Sequence, residues 1–192
     1  MVKDKKMTAA GIVGLALFLS LLALTTPGTA WAADMIFMKI DGIPGESTDD
    51  KHKDWIDVRT WGWSESNPGG AASKGGRTPA QRITFQDLKV TFQPSKATPQ
   101  LFLAGASGTH IKEVILEVCR AGQYKEKWLE IKLSEVIISG YSILGSTQAH
   151  MEEILLGYGK IKVTYLQQKR ADGKGGGQVV GGWDLTNNKS IK

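Results

Sequence analysis

Apolar and polar residues alternate one by one along most of the chain beyond residue 35, the signature of strands with one buried and one wet face. Ile36, Met38 and Ile40 share a face of the first such stretch. Leu129, Ile131 and Leu133 alternate with Trp128, Glu130 and Lys132, and Ile161, Val163 and Tyr165 with Lys160, Lys162 and Thr164. Two stretches break parity midway. Ile83 and Phe85 are odd whereas Leu88, Val90 and Phe92 are even, so the inward face changes near Gln86-Asp87. Ile154, Leu156 and Tyr158 are even whereas Ile161 onward is odd, with Gly157 and Gly159 at the switch. A one-residue slip turns every later side chain to the other face, and bulges supply such slips where sheets bend. Antiparallel strands that bend twice predict a barrel or a tightly rolled sandwich.

One short helix interrupts the strands. Thr98-Pro99 reads as an N-cap with proline at the first helical position, and Gly105 or Gly108 closes the helix. Leu101, Phe102 and Leu103 are consecutive, so one side meets the barrel and another is free to face a neighbour. Glycine-rich connections are expected at 64–79 and 171–182; the second contains Gly173-Lys-Gly-Gly-Gly, without the pattern or strand-to-helix setting of a phosphate loop.

The first 32 residues follow a different pattern. Lys3, Lys5 and Lys6 precede an apolar run from Ile12 to Leu24, Pro27 and Gly28 end it, and Ala30-Trp31-Ala32 places small residues where a signal peptidase reads them. The run is shorter than the roughly 20 residues needed to span a bilayer. Residues 1–32 are therefore expected to be a cleaved export signal and 33–192 one domain, secreted or periplasmic, with no stable membrane span. Without Lys3, Asp4, Lys5 and Lys6, the mature chain keeps 21 basic and 18 acidic residues, a net +3. Charges of both signs are interspersed, and no basic stripe interleaved with aromatics points to nucleic acid.

Candidate chemistry concentrates between Ile40 and Val58, where Asp41, Glu46, Asp49, Asp50 and Asp54 surround His52. No register of this block matches an EF-hand, and Lys51, Lys53 and Arg59 stand among the acids, so it reads as a solvated, salt-bridge-laced surface loop rather than a metal site. Cys119 is the sole cysteine and lies in a strand-like run, as a buried inert thiol would; the alternative is a reactive or intermolecular thiol, but nothing adjacent to it in sequence looks like a base. His52, His110 and His150 form no zinc motif. Ser107 is not in a nucleophile elbow, and Glu152 and Glu153 would point to opposite faces of a strand. No cofactor is expected, and the chain reads as a non-enzyme. Trp55, Trp61 and Trp63 share strand parity with Asp57 and Arg59 between them; the two readings are an aromatic contact surface, or a core face with Ile56 and Val58 peripheral.

Several longer motifs carry a family likeness. Ile40-Asp-Gly-Ile-Pro-Gly-Glu-Ser followed by Lys51-His-Lys-Asp, then Ile83-Thr-Phe-Gln-Asp-Leu, then Lys96-Ala-Thr-Pro-Gln-Leu-Phe-Leu-Ala-Gly-Ala-Ser-Gly-Thr-His-Ile, then Gly182-Trp-Asp-Leu resemble the haemolysin-coregulated protein (Hcp) family, the tube subunit of bacterial type VI secretion. The likeness runs from about residue 35 to 189. It implies two antiparallel sheets rolled into a small β-barrel with one α-helix at its side, hexameric rings stacked into a tube, and contacts with sheath, spike and small effector proteins. It also implies that Trp61, Gly62, Trp63, Leu101 and Phe102 lie at a subunit interface or lumen. Two features depart from the family: a leading export signal, and Trp61-Gly62-Trp63-Ser64 where members often read aromatic-Ser-Trp-Gly. The signal suggests a second role, an exported Hcp-fold ring or monomeric binding module in the periplasm.

Overall fold

The computed structural model describes residues 33–66, 83–122, 125–168 and 176–191. The export segment, nearly all of the first glycine-rich connection and the start of the second, with Gly173-Lys-Gly, lie outside the described residues. Ten strands follow in order: β1 (Met35–Ile40), β2 (Ile56–Gly62), β3 (Glu65–Ser66), β4 (Thr84–Phe85), β5 (Leu88–Phe92), β6 (Ile111–Cys119), β7 (Lys127–Gly145), β8 (His150–Leu166), β9 (Gln178–Asp184) and β10 (Lys189–Ile191), with helix α1 (Thr98–Ser107) between β5 and β6. The main sheet runs β10-β9-β8-β5-β2-β1-β6-β7, and β7 pairs back onto β8. Six strands thus close into an antiparallel barrel, with β9 and β10 appended to β8 and a separate small sheet made by β3 and β4. Among the described residues, the mainly β fold with one helix expected from the pattern is the fold observed.

Inward residues fill the barrel: Met38, Ile40, Ile56, Leu88, Val90, Phe92, Leu116, Leu133 and Leu156 are buried together. The long β7–β8 hairpin shapes the wall. Inward positions run Ile131, Leu133, then Val136, Ile138 on β7, and Ile154, Leu156, then Ile161 on β8. Both strands change parity at the same level, where Glu135 takes φ 56 and faces Gly159. The expected switch at Gly157–Gly159 is there, but it is a bend shared by two strands that stay in register through it. A Cβ at Gly159 would come within 2.5 Å of Glu135 Oε2 and 3.1 Å of its Cβ, so a side chain there requires Glu135 to move aside. A true bulge follows at Ser139, where the register shifts between Ile138 and Gly140.

Three local readings are corrected. Residues 83–92 are not one bulged strand but two, β4 in the small sheet and β5 in the barrel. In β2 an unforeseen bulge at Arg59 shifts the register between Val58 and Thr60, so Trp61 faces inward opposite Val90 and no longer shares a face with Asp57. The residue before α1 is Ala97, with no side-chain cap; Thr98 is the first helical residue and Pro99 the second. Thr98 accepts a hydrogen bond from Ser95 N–H at 2.9 Å instead of capping its own helix. Gly108, at φ 62, ends the helix in the left-handed conformation that glycine adopts at little cost.

Candidate functional site

The charged block between β1 and β2 folds back over the outer face of the barrel. Gly42 turns the chain at φ 80, and Gly45 N–H donates to Asp54 O at 2.7 Å while Ser47 N–H donates to Trp55 O at 2.9 Å. A methyl group on Gly45 would lie 2.2 Å from Trp55 O, so the two arms of the loop can close only over glycine. This flap covers Phe37, which points out of the barrel and is nevertheless buried because the His52 ring stacks on it at 4.0 Å, almost parallel. Trp55 meets His52 edge-on at 4.9 Å.

His52 is 3% exposed, so the loop is not solvated at its centre as the sequence suggested. Its Nδ1 lies 2.8 Å from Asp49 Oδ1 and its Nε2 lies 2.9 Å from Glu117 Oε2. Carboxylates only accept hydrogen bonds, so satisfying both contacts takes a proton on each ring nitrogen. Lys125 pairs with Asp49, and Lys127 reaches Glu117 at 2.7 Å and Glu130 at 2.5 Å. The result is an alternating chain, Lys125–Asp49–His52–Glu117–Lys127–Glu130, three positive and three negative groups when His52 is the imidazolium. Burial by itself would raise the Asp49 carboxyl, but hydrogen bonds from Lys125, His52 and the Lys51 N–H outweigh it and hold Asp49 well below the usual range. Desolvation likewise opposes charge on Lys127, and its bonds to Glu117 and Glu130 overcome that to raise it.

Cys119 Sγ sits 4.0 Å from His52 Nε2, a neighbour the sequence did not reveal. His52, Glu117 and Cys119 bring three potential ligand atoms within 4.8 Å of one another. Their charge environment does not suit a metal ion. Burial, reinforced by Glu117, pushes the thiol up to about 11, so the thiolate a metal needs is disfavoured. Glu117 is already committed to Lys127 and His52. The trio belongs to an ion-pair hub that clamps the flap to β6 and β7.

The five residues expected at an interface or lumen fall into two groups. Trp61 and Trp63 are half-buried and pack on the core; Trp63 Nε1 donates to Tyr158 Oη at 2.5 Å, and Trp63, Phe85 and Trp183 form a run of rings 6.2 and 6.5 Å apart. Burial raises the Tyr158 hydroxyl despite the Trp63 bond. Gly62 lies on the exposed outer side opposite Lys89, with open space where a Cβ would project. Leu101 is buried in the core, whereas Phe102 and Leu103 are 56% and 62% exposed. Ile143 and Leu144, on opposite faces of β7, are also exposed at the end of the β7–β8 hairpin. Glu152 and Glu153 do point to opposite faces, Glu152 into the core and Glu153 outward to Lys89 at 2.7 Å. Among the described residues no helix is long and apolar enough to cross a membrane.

The motifs behind the family likeness thus have structural work: Gly42 and Gly45 shape the flap, His52 anchors it, and Gly182 passes within 3.0 Å of Ile161 O where a Cβ would stand. The sequence profile described as Type VI secretion system effector, Hcp, matches residues 37–165. The chain belongs to the Hcp family. It is 36% identical over 160 residues to Protein hcp1 of Pseudomonas aeruginosa, spanning 82% of this chain and 98% of that one. Hcp1 from Salmonella typhimurium superposes with a TM-score of 0.69 at 32% identity, covering 83% of this chain and 99% of its own. A solved structure described as a type six secretion system protein gives 0.74 at 29% identity, with 83% and 100% covered. This Hcp chain is a type VI secretion tube subunit.

Proposed function

We propose that residues 33–192 assemble into hexameric rings, that the rings stack into a tube, and that the lumen carries small effector proteins. The number six is the family's. The observation that carries the reading is the match over residues 37–165, which runs from within β1 to within β8 and so touches every strand of the closed barrel. The exposed faces support it. A cyclic ring joins two different patches of the same chain, and this subunit leaves apolar side chains uncovered on two elements, Phe102 and Leu103 on α1 and, on opposite faces of the hairpin end, Ile143 and Leu144. Leu101 then supports the contact from beneath, and Trp61, Gly62 and Trp63 contribute to the ring wall or its lumen. Sheath and spike proteins are the outer and end partners, and the role is mechanical rather than catalytic.

A second reading is favoured by the first 32 residues, whose basic start, apolar run and Ala-Trp-Ala ending fit an export signal. In that reading an Hcp-fold ring, or a monomeric binding module, works in the periplasm outside a standard secretion machine. Native mass spectrometry of residues 33–192 tests assembly: a six-fold species is expected, and a monomer at high concentration would overturn the ring. The amino terminus of the cellular protein separates the two readings, since Met1 in the cytoplasm favours the tube and a start near Ala33 in the periplasm favours the export role.

A further inference from the structure

Glu152 is fully buried on the inward face of β8, opposite Ile143 of β7 and Phe92 of β5. A carboxylate there is costly unless its oxygens are engaged. Its Oε1 accepts the Thr98 hydroxyl, and that hydroxyl accepts the Ser95 N–H at 2.9 Å. Helix α1 has no side-chain cap and no acidic residue in its first turn. Glu152 therefore provides, from another element, a hydrogen-bond acceptor for the first residue of the helix. Its Oε2 is shut from solvent and unpartnered, as is the Tyr141 hydroxyl. Tyr141 lies on the same inward face of the hairpin, and burial together with the Glu152 charge pushes its hydroxyl up. The two groups lie within each other's field. Tyr141 in turn lies 6.3 Å from the Phe102 ring and lines the helix face at Gly105.

These contacts form one connected path, Ser95–Thr98–Glu152–Tyr141–Phe102, from the start of α1 to its exposed aromatic. We infer that Glu152 is a positioning residue: by holding Thr98 and Tyr141 it sets how α1 sits on the barrel and presents Phe102 and Leu103 to a second copy of this chain. The part concerning the second copy rests on the ring reading above; the part concerning α1 does not. Packing alone would be satisfied by an apolar side chain of similar size, so the substitution that separates the two accounts is Glu152→Met, set against Glu152→Gln. Glutamine keeps an oxygen for the Thr98 hydroxyl and offers an N–H to the Tyr141 oxygen.

The experiment is amide hydrogen exchange of residues 33–192, comparing α1 with β6 in each variant, alongside native mass spectrometry. Glu152→Met is expected to speed exchange across 101–107 at least 10-fold relative to β6 and to raise the concentration needed for rings at least 10-fold. Glu152→Gln should remain within about 3-fold of wild type in both. Glu152→Met matching wild type in α1 exchange overturns the inference. So does Glu152→Gln behaving like Glu152→Met, which would assign the effect to charge alone. If Glu152→Met does not fold, Thr98→Val decides, removing one hydroxyl at constant shape: faster α1 exchange supports the anchor and wild-type exchange overturns it. Should wild type itself form no rings, the ring reading falls while the exchange comparison still judges the anchor.

Discussion

At the scale of single residues, the Hcp flap is organised by one imidazole. His52 is sandwiched between Phe37 and the edge of Trp55, and its two nitrogens join Asp49 to Glu117. A charge chain of this kind fixes a loop in one arrangement, because Asp49 and His52 at its centre are nearly shut from water and losing one strands the other in a dry site. Asp49 gives a testable pH dependence. Its carboxyl is held below the ordinary 3.8 in the folded chain, so its contribution is fully present above that value and is lost as pH falls through the folded one. Asp49→Asn is expected to cost roughly 2 kcal/mol near neutral pH, the scale of charge-assisted hydrogen bonds. In urea unfolding at pH 7, 5, 3 and 2, the gap to wild type should hold down to about pH 4 and narrow below it. A gap constant down to pH 2 would exclude Asp49 ionisation as its source.

At the scale of elements, legibility in the sequence depended on how a change of face was marked. The bend in the β7–β8 hairpin could be read because Leu156 and Ile161 are both large, apolar and of opposite parity, with glycines between. The bulge at Arg59 was marked too, by the change from Ile56 and Val58 to Trp61 and Trp63, but with only polar residues and no glycine between them the change reads as two opposite faces of one regular strand. The cap of α1 was misread for a different reason: Thr98 has the right chemistry, but Glu152, 54 residues away, takes its hydroxyl. The flap hub was hidden as well, because Glu117 lies 65 residues beyond His52 and approaches it only once β6 pairs with β1. What local chemistry did announce was glycine. Gly45→Ala drives a methyl into the Trp55 carbonyl, a backbone atom with nowhere to go. A loss of roughly 3 kcal/mol is expected, at the upper end of overpacking. Gly62→Ala meets nothing within 4 Å and should stay within about 0.5 kcal/mol. Equal unfolding midpoints for the two variants would contradict the close approach seen in the flap.

At the scale of the whole molecule, closing six strands removes most exposed edges, which is how a long-stranded β protein avoids indiscriminate pairing. Among the described residues the open edges include β10, the first half of β9, the small β3–β4 sheet and the part of β7 beyond Val136, where β8 is its one strand partner. Assembly of the tube must then rely on side-chain faces as well as edges, and α1 offers the sharpest comparison because adjacent residues serve opposite purposes. Leu101 is wholly buried and Phe102 is more than half exposed. Leu101→Ala removes core volume and is expected to cost about 2–5 kcal/mol in the isolated subunit. Phe102→Asp should leave the subunit within about 0.5 kcal/mol of wild type, since it alters a solvent-facing position, yet it places a charge where a neighbouring ring-mate would bury an aromatic. Chemical unfolding of dilute subunits and native mass spectrometry of concentrated ones read the two effects separately. Phe102→Asp is expected to abolish the six-fold species without moving the unfolding midpoint. Persistent rings in that variant would take Phe102 out of the subunit contact and leave Leu103, and Ile143 and Leu144 on opposite faces of the hairpin end, as the exposed apolar positions to test.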